Sequence, residues 1–90
     1  MRSQEIINVV VGKYFEVVES RKYWGLEEIK AIQENDKEEE SLANDLWNEF
    51  DTQAIALKEL LKKLQFIGCK IDINAIRAEA EEHAENRFFE

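Results

Sequence analysis

Residues 42–64, LANDLWNEFDTQAIALKELLKKL, carry the pattern that decides the fold. Apolar residues recur along this stretch at steps of three or four, which is the repeat of one face of an α-helix. The members of this face are Leu42, Leu46, Phe50, Ala54, Leu57, Leu61 and Leu64. A helix of roughly thirty residues would span about 45 Å, which is longer than a compact domain of this size is wide. The pattern therefore predicts one long central helix, which protrudes and needs a partner helix. Alternatively, Asp51 and Thr52 break the stretch by capping a fresh helix.

The rest of the composition agrees with a small helical domain. The 90 residues include no proline and three glycines, which is unusual for a β-rich domain with many turns. With 44% apolar and 36% charged residues, the chain has a globular composition, and its length allows one core. We therefore expect a single all-α domain over residues 1–90, built as a bundle of three to four helices.

The N-terminal third allows two interpretations. Apolar residues between positions 7 and 18 follow helical steps, with Ser3 placed as an N-cap and Gly25 placed just after a helix end near Trp24. Alternatively, the β-branched residues on either side of Gly12 fit a β-hairpin, which would make the fold α+β. Strict alternation is absent from both arms of that hairpin, so the helix is the preferred prediction.

Local signals place the other helix ends. A short helix is predicted over residues 26–33. Asp36 then has the spacing of a capping residue for the long helix, and Gly68 has the position of its C-terminal stop. Asp72 is the expected N-cap of a last helix that runs through Arg87, with a thin, alanine-rich apolar face that can approach another helix closely.

The negative charge is concentrated in residues 26–51, which we name the acidic segment. It holds ten acidic side chains and two lysines, whereas the remaining residues hold ten acids and ten bases, so it accounts for the net charge of −8. Such a field attracts cationic surfaces and repels phosphate backbones. The candidate residues of a partner-binding acidic face are Glu34, Asp36, Glu38, Glu39, Glu40, Asp45 and Glu49.

Four aromatic side chains are candidates for an apolar contact with a partner: Trp47 and Phe50 in the long helix, and Phe88 and Phe89 near the end of the sequence. Large aromatic residues are frequent at the centres of interfaces. Because chain ends are usually polar, we expect Phe88 and Phe89 either to fold back onto the core or to dock into a second chain. Together with the long leucine stripe, this pair predicts a homo-oligomer.

The sequence offers little support for catalysis or a cofactor. Cys69 and His83 are the only residues of their kinds, and they lie towards opposite ends of the last predicted helix. Glu79 and His83 have a spacing that can hold a divalent metal, but two ligands are too few, so an exposed helix pair is expected instead. We therefore predict no enzyme activity, no metal and no cofactor.

Two further classes are disfavoured by the distribution of residues. Basic side chains are dispersed, so no direct binding of nucleic acid is expected. The apolar run near the N-terminus is short and interrupted, which argues against a membrane span and a cleaved signal. The single cysteine gives no sign of an oxidising compartment, so we expect a cytoplasmic protein.

These observations favour a small, acidic, non-enzymatic interaction protein. It would act as a regulator or inhibitor by protein–protein contact, in the manner of compact proteins from phages and mobile elements, on a partner with a basic or apolar groove. The alternative is a nucleic-acid mimic, whose acidic face occupies the phosphate-binding groove of another protein. A helical enzyme or small-ligand binder is the third hypothesis, and it requires a convergent pocket.

Overall fold

The computed structural model describes residues 2–89, with side chains from Gln4 to Phe89. Over this range the chain forms three α-helices: α1 (Arg2–Gln33), α2 (Lys37–Phe66) and α3 (Ile73–Phe89). α1 and α2 form an antiparallel hairpin, and α3 runs parallel to α1 along part of its length. The molecule measures 50 × 26 × 18 Å. The all-α prediction is confirmed, with three helices.

The long central helix is confirmed as α2, an unbroken helix of 30 residues. Asp51 and Thr52 do not interrupt it. The Thr52 hydroxyl donates back to the carbonyl of Asn48 at 2.9 Å, and the Asp51 carboxylate accepts a hydrogen bond from Arg21 of α1. α1, with 32 residues, is the partner helix that the length of α2 requires.

α1 is continuous, so several expectations for the N-terminal third were wrong. The hairpin around Gly12 does not form. The helix does not end near Trp24, and residues 26–33, which were predicted as a separate helix, continue it. Gly25 lies inside this helix. A glycine suits the position because a Cβ there would come within 3.1 Å of the indole of Trp47 on α2. This close packing outweighs the low helix propensity of glycine, about 1 kcal/mol. Ser3 follows Arg2 inside the first turn and is not the N-cap.

A three-residue turn joins α1 to α2. The N–H of Asp36 donates to the carbonyl of Ala31 at 2.9 Å, the N–H of Asn35 donates to that of Ile32, and Asn35 has a left-handed φ of 57°. This is the Schellman arrangement that satisfies the last carbonyls of a helix. The Asp36 carboxylate also accepts from the N–H of Glu39 at 3.1 Å, which confirms it as the N-cap of α2. Asp36 thus takes part in the C-terminal cap of α1 through its N–H and in the N-terminal cap of α2 through its carboxylate.

The same motif ends α2 and leads to α3. Gly68 has a φ of +106°, its N–H donates to Gln65, and the N–H of Cys69 donates to the carbonyl of Leu64 at 3.1 Å. The Asp72 carboxylate then accepts from the N–H of Ala75 at 3.0 Å, as expected for the N-cap of α3. The helix extends two residues beyond the predicted end, to Phe89.

The core lies where the three helices meet. Its buried residues are Tyr14, Val17 and Val18 of α1, Ala54 of α2, and Ala80 and Ala84 of α3. The two alanines of α3 are fully buried, so its thin apolar face does approach α1 closely. On α2 the predicted stripe is only partly covered. Leu61 is buried and Phe50 and Leu57 pack at the edge of the core, whereas Leu42 is half-exposed.

Candidate protein-contact surfaces

The acidic segment forms one end of the elongated molecule. The turn between α1 and α2 lies near its middle, so the two arms of the segment run side by side. The end of α3 lies at the level of Lys22, whose ammonium nitrogen is 5.1 Å from the ring centre of Phe89. The arms beyond that level form a two-helix extension, because α3 is too short to reach them.

The candidate carboxylates at this end are accessible. Six of the seven are exposed, and Glu40 is half-buried. The Asp36 carboxylate caps α2, but none of the seven forms an ion pair with a described side chain. The two arms contact each other where the Asn44 amide donates to Glu28 at 2.6 Å. This end therefore presents carboxylates of α2 and of the turn before it without an ion-pair partner among the described side chains, as a surface for a cationic partner requires.

Half-exposed aliphatic side chains accompany these carboxylates. Ile29 and Ile32 of α1 and Leu42 of α2 keep about half of their surface accessible. The sequence pattern did not identify Ile29 and Ile32 as contact residues. Their exposure follows from the length of α3, which has 17 residues beside helices of 32 and 30. A protein interface typically combines such apolar atoms with polar groups around them.

Trp47 and Phe50 are both half-buried inside the chain's own packing. The indole of Trp47 lies against Gly25 of α1, and Phe50 packs against the core. Their role as partner anchors stays a prediction. Each of them already has a structural task, which is to hold α1 and α2 together.

Phe88 and Phe89 fold back towards α1 to different degrees. The ring of Phe88 is half-buried, with its centre 6.0 Å from that of Tyr23. Tyr23 in turn meets Trp24 edge-on at 5.0 Å. These aromatic residues line a surface groove of about 570 Å³ together with Glu16, Glu19, Ser20 and Arg87. Phe89 remains 59% exposed, so it is available for contact.

Arg21 joins all three helices. Its guanidinium donates to Asp51 of α2 and to Glu81 of α3, both at 2.7 Å, and its side chain is 19% exposed. Arg21 was not among the residues predicted for a site. A usable signal was present, since Arg21 follows Val17 and Val18 at helical steps and so lies on the apolar face of α1. A charge on a buried face predicts paired carboxylates on the elements that cover it.

Tyr14 lies beside this cluster and is buried. Burial raises the pKa of its hydroxyl above the ordinary value of 10.0, while the positive charge of Arg21 acts in the opposite direction. The neighbouring cleft has a volume of about 190 Å³ and is lined by Tyr14, Arg21, Asp51, Ala54, Ile55, Lys58, Arg77 and Glu81. Ligand pockets usually have about 300 to 1,000 Å³. The cleft is therefore small for an organic substrate.

The lone histidine pairs with α1. The Nε2 atom of His83 is 3.5 Å from the Glu19 carboxylate, which also binds Arg87 at 3.0 Å, and its ring lies 5.7 Å from that of Phe15. Within residues 2–89, no three His, Cys, Asp or Glu side chains are grouped so that they could hold a metal ion. None of the helices in that range combines the length and apolar character needed to cross a membrane.

Comparisons of the chain with protein-family models, with curated proteins and with solved structures find no match.

Proposed function

We propose that this chain is a non-enzymatic regulator or inhibitor that acts by protein–protein contact, through the end of the molecule formed by the acidic segment. The observation that supports this proposal most strongly is that exposed carboxylates from α2 and from the turn before it, without an ion-pair partner among the described residues, lie at one end. Half-exposed Ile29 and Ile32 supply apolar area at the same end. Carboxylates would set the rate and the salt dependence of association, and the aliphatic residues would contribute to affinity.

The partner is a protein with a cationic surface. Only two lysines, Lys30 and Lys37, lie within the acidic segment, so its ten carboxylates leave a strong local excess of negative charge. Such an excess favours a complementary basic patch and disfavours acidic proteins and phosphate backbones. A nucleic-acid mimic is the narrower form of the same proposal, in which the basic patch of the partner is its own nucleic-acid site.

Matched charge reversals test this proposal. One variant carries Glu34→Lys, Glu38→Lys and Asp45→Lys in the acidic segment. The control carries Glu79→Lys, Glu82→Lys and Glu85→Lys, three exposed and unpaired positions on α3, so both variants change the net charge by six units. Circular dichroism verifies that both stay folded.

The three proteins are then used to capture a partner from an extract of the source cells, and the captured protein is purified for direct binding. We expect the wild type and the α3 control to bind it, with an affinity that falls as salt rises, and the acidic-segment variant to lose binding. Equal binding by both variants would remove the acidic segment from the proposal. Displacement of the chain by duplex DNA would identify it as a mimic.

A further inference from the structure

α2 carries a second stripe, on the flank of the face that packs against α1, which shares Leu42 and Leu46 with the apolar stripe described above. Its positions follow steps of 3, 4, 3, 4, 3, 4 and 3, which is the repeat of a coiled-coil seam. We name it the outer stripe, and its members are Glu39, Leu42, Leu46, Glu49, Gln53, Ala56, Leu60 and Lys63. None of them is buried, and Leu42 and Leu60 are 50% and 42% exposed. α1 and α3 therefore leave this seam without a partner helix.

The order of residues along the outer stripe is self-complementary. When one copy of the stripe is reversed against another, its first member meets the last member of the other copy, so Glu39 pairs with Lys63 and Leu42 pairs with Leu60. The next two pairs are Leu46 with Ala56, and Glu49 with Gln53. An acid thus meets a base, apolar residues meet apolar residues, and a carboxylate meets an amide that can donate to it. A surface that complements itself when reversed is the requirement for a two-fold symmetric interface.

We infer that a second copy of this chain occupies the outer stripe, with the two α2 helices antiparallel about a two-fold axis near residue 51. In this register Glu39 of one copy lies beside Lys63 of the other, and the pair occurs twice. The polar residues Glu49 and Gln53 meet at the axis, where a hydrogen bond between their side chains fixes the register. The two turns at residues 34–36 then lie at opposite ends of the dimer.

The charges select this orientation over the parallel one. In a parallel pair, Glu39 would face Glu39, Glu49 would face Glu49 and Lys63 would face Lys63, and each of these contacts is repulsive. The antiparallel register replaces the contacts of Glu39 and Lys63 with opposite charges and places Glu49 beside the uncharged amide of Gln53. Two approaches between like charges remain. The two copies of Glu49 lie about 6 Å apart along the helices across the axis, and Asp45 approaches Glu59, which Lys62 of the same chain contacts at 3.2 Å.

Glu39 and Lys63 each complement the dipole of α2, but they do not interact with each other within one chain. Glu39 and Lys63 are 24 residues apart on one straight helix, which separates them by about 36 Å. This distance is several times the Debye length of about 8 Å at physiological salt. Any energetic coupling between the two positions must therefore act between copies.

A charge swap uses this separation as a test. Sedimentation equilibrium measures the dimer dissociation constant of the wild type, Glu39→Lys, Lys63→Glu and the double variant. Each single variant places like charges together twice per dimer, so we expect its dissociation constant to rise about tenfold. The double variant restores both opposite-charge pairs, and its constant should return to within about threefold of the wild type.

Controls separate this effect from net charge and from folding. Glu85→Lys and Lys30→Glu make the same charge changes at exposed, unpaired positions outside the outer stripe, and they should leave dimerisation unchanged. Leu60→Asp should be monomeric by sedimentation equilibrium. It should stay folded by circular dichroism, since Leu60 is already part-exposed. A wild type that stays monomeric, or a double variant as weak as the single ones, would overturn the proposed pairing. Among the charge reversals that test partner binding, Asp45→Lys flanks the seam, where it would face Glu59 of the other copy and favour the dimer, so a loss of partner binding is distinguishable from a loss of dimerisation.

Discussion

Gly25 provides a direct test of how α1 and α2 fit together. Replacing glycine with alanine inside a helix stabilises it by about 0.8 to 1.0 kcal/mol, because alanine loses less backbone entropy on folding. At Gly12, on the same helix, a new Cβ would meet no atom within 4 Å among the described residues, apart from the neighbouring backbone of its own helix. Gly12→Ala should therefore raise the free energy of unfolding by about 1 kcal/mol.

The same change at Gly25 meets the indole of Trp47. A Cβ there would lie 3.1 Å from Cδ1 and 3.2 Å from Nε1, so the ring or the helix must shift. Overpacking of this kind costs about 1 to 3 kcal/mol. After the helix-propensity gain is subtracted, Gly25→Ala should be between neutral and about 2 kcal/mol destabilising.

Urea denaturation followed by circular dichroism measures both variants, and equal m-values are needed for the comparison. The double variant Gly25→Ala with Trp47→Leu supplies the second arm, because a smaller side chain removes the close contact. Gly25→Ala should then be stabilising in that background, by an amount similar to Gly12→Ala. If Gly25→Ala stabilises the wild-type chain as much as Gly12→Ala does, the packing of Trp47 is not the reason for glycine at this position.

Three further changes probe the core, the turns and the buried tyrosine. Leu61→Ala should lower the free energy of unfolding by about 2 to 5 kcal/mol. Leu42→Ala, at a half-exposed position on the same helix, should lower it far less, and urea denaturation of the monomer measures both. Gly68→Ala should cost about 1 to 2 kcal/mol in the same assay, because φ at this residue is +106°. The folded state keeps the proton of Tyr14 to higher pH than the unfolded state, since burial raises its pKa, so its contribution to stability is present below pH 10.0 and is lost as pH rises above it. Tyr14→Phe should therefore reduce the fall in stability between pH 9 and about pH 11, and an unchanged fall would contradict this.

Some signals confined to neighbouring residues predicted their structures correctly, whereas those at Ser3 and Gly25 did not. The apolar repeat of α2 and the caps at Asp36 and Asp72 depend on contacts within one turn of helix, which are visible in the sequence. The continuity of α1 was not predictable in this way. It depends on Trp47, a residue 22 positions after Gly25, whose packing overrides the local tendency of glycine to end a helix.

The candidate site was predictable in composition but not in shape. The concentration of acids in residues 26–51 is a property of the sequence, whereas their arrangement at one end depends on a turn that divides the segment near its middle. The exposure of Ile29 depends on where α3 stops, and the partners of Arg21 lie 30 and 60 residues away. Such relations between distant residues require the assembled helices.

The short turn between α1 and α2 has a consequence for the order of folding. Three residues separate these helices, so their contacts close small loops first, whereas Arg21 and Glu81 must close a loop of 60 residues. The hairpin is therefore expected to form before α3 docks, and α3 to open first in amide hydrogen exchange. Since the acidic segment belongs wholly to the hairpin, a molecule whose α3 has detached still presents the same carboxylates.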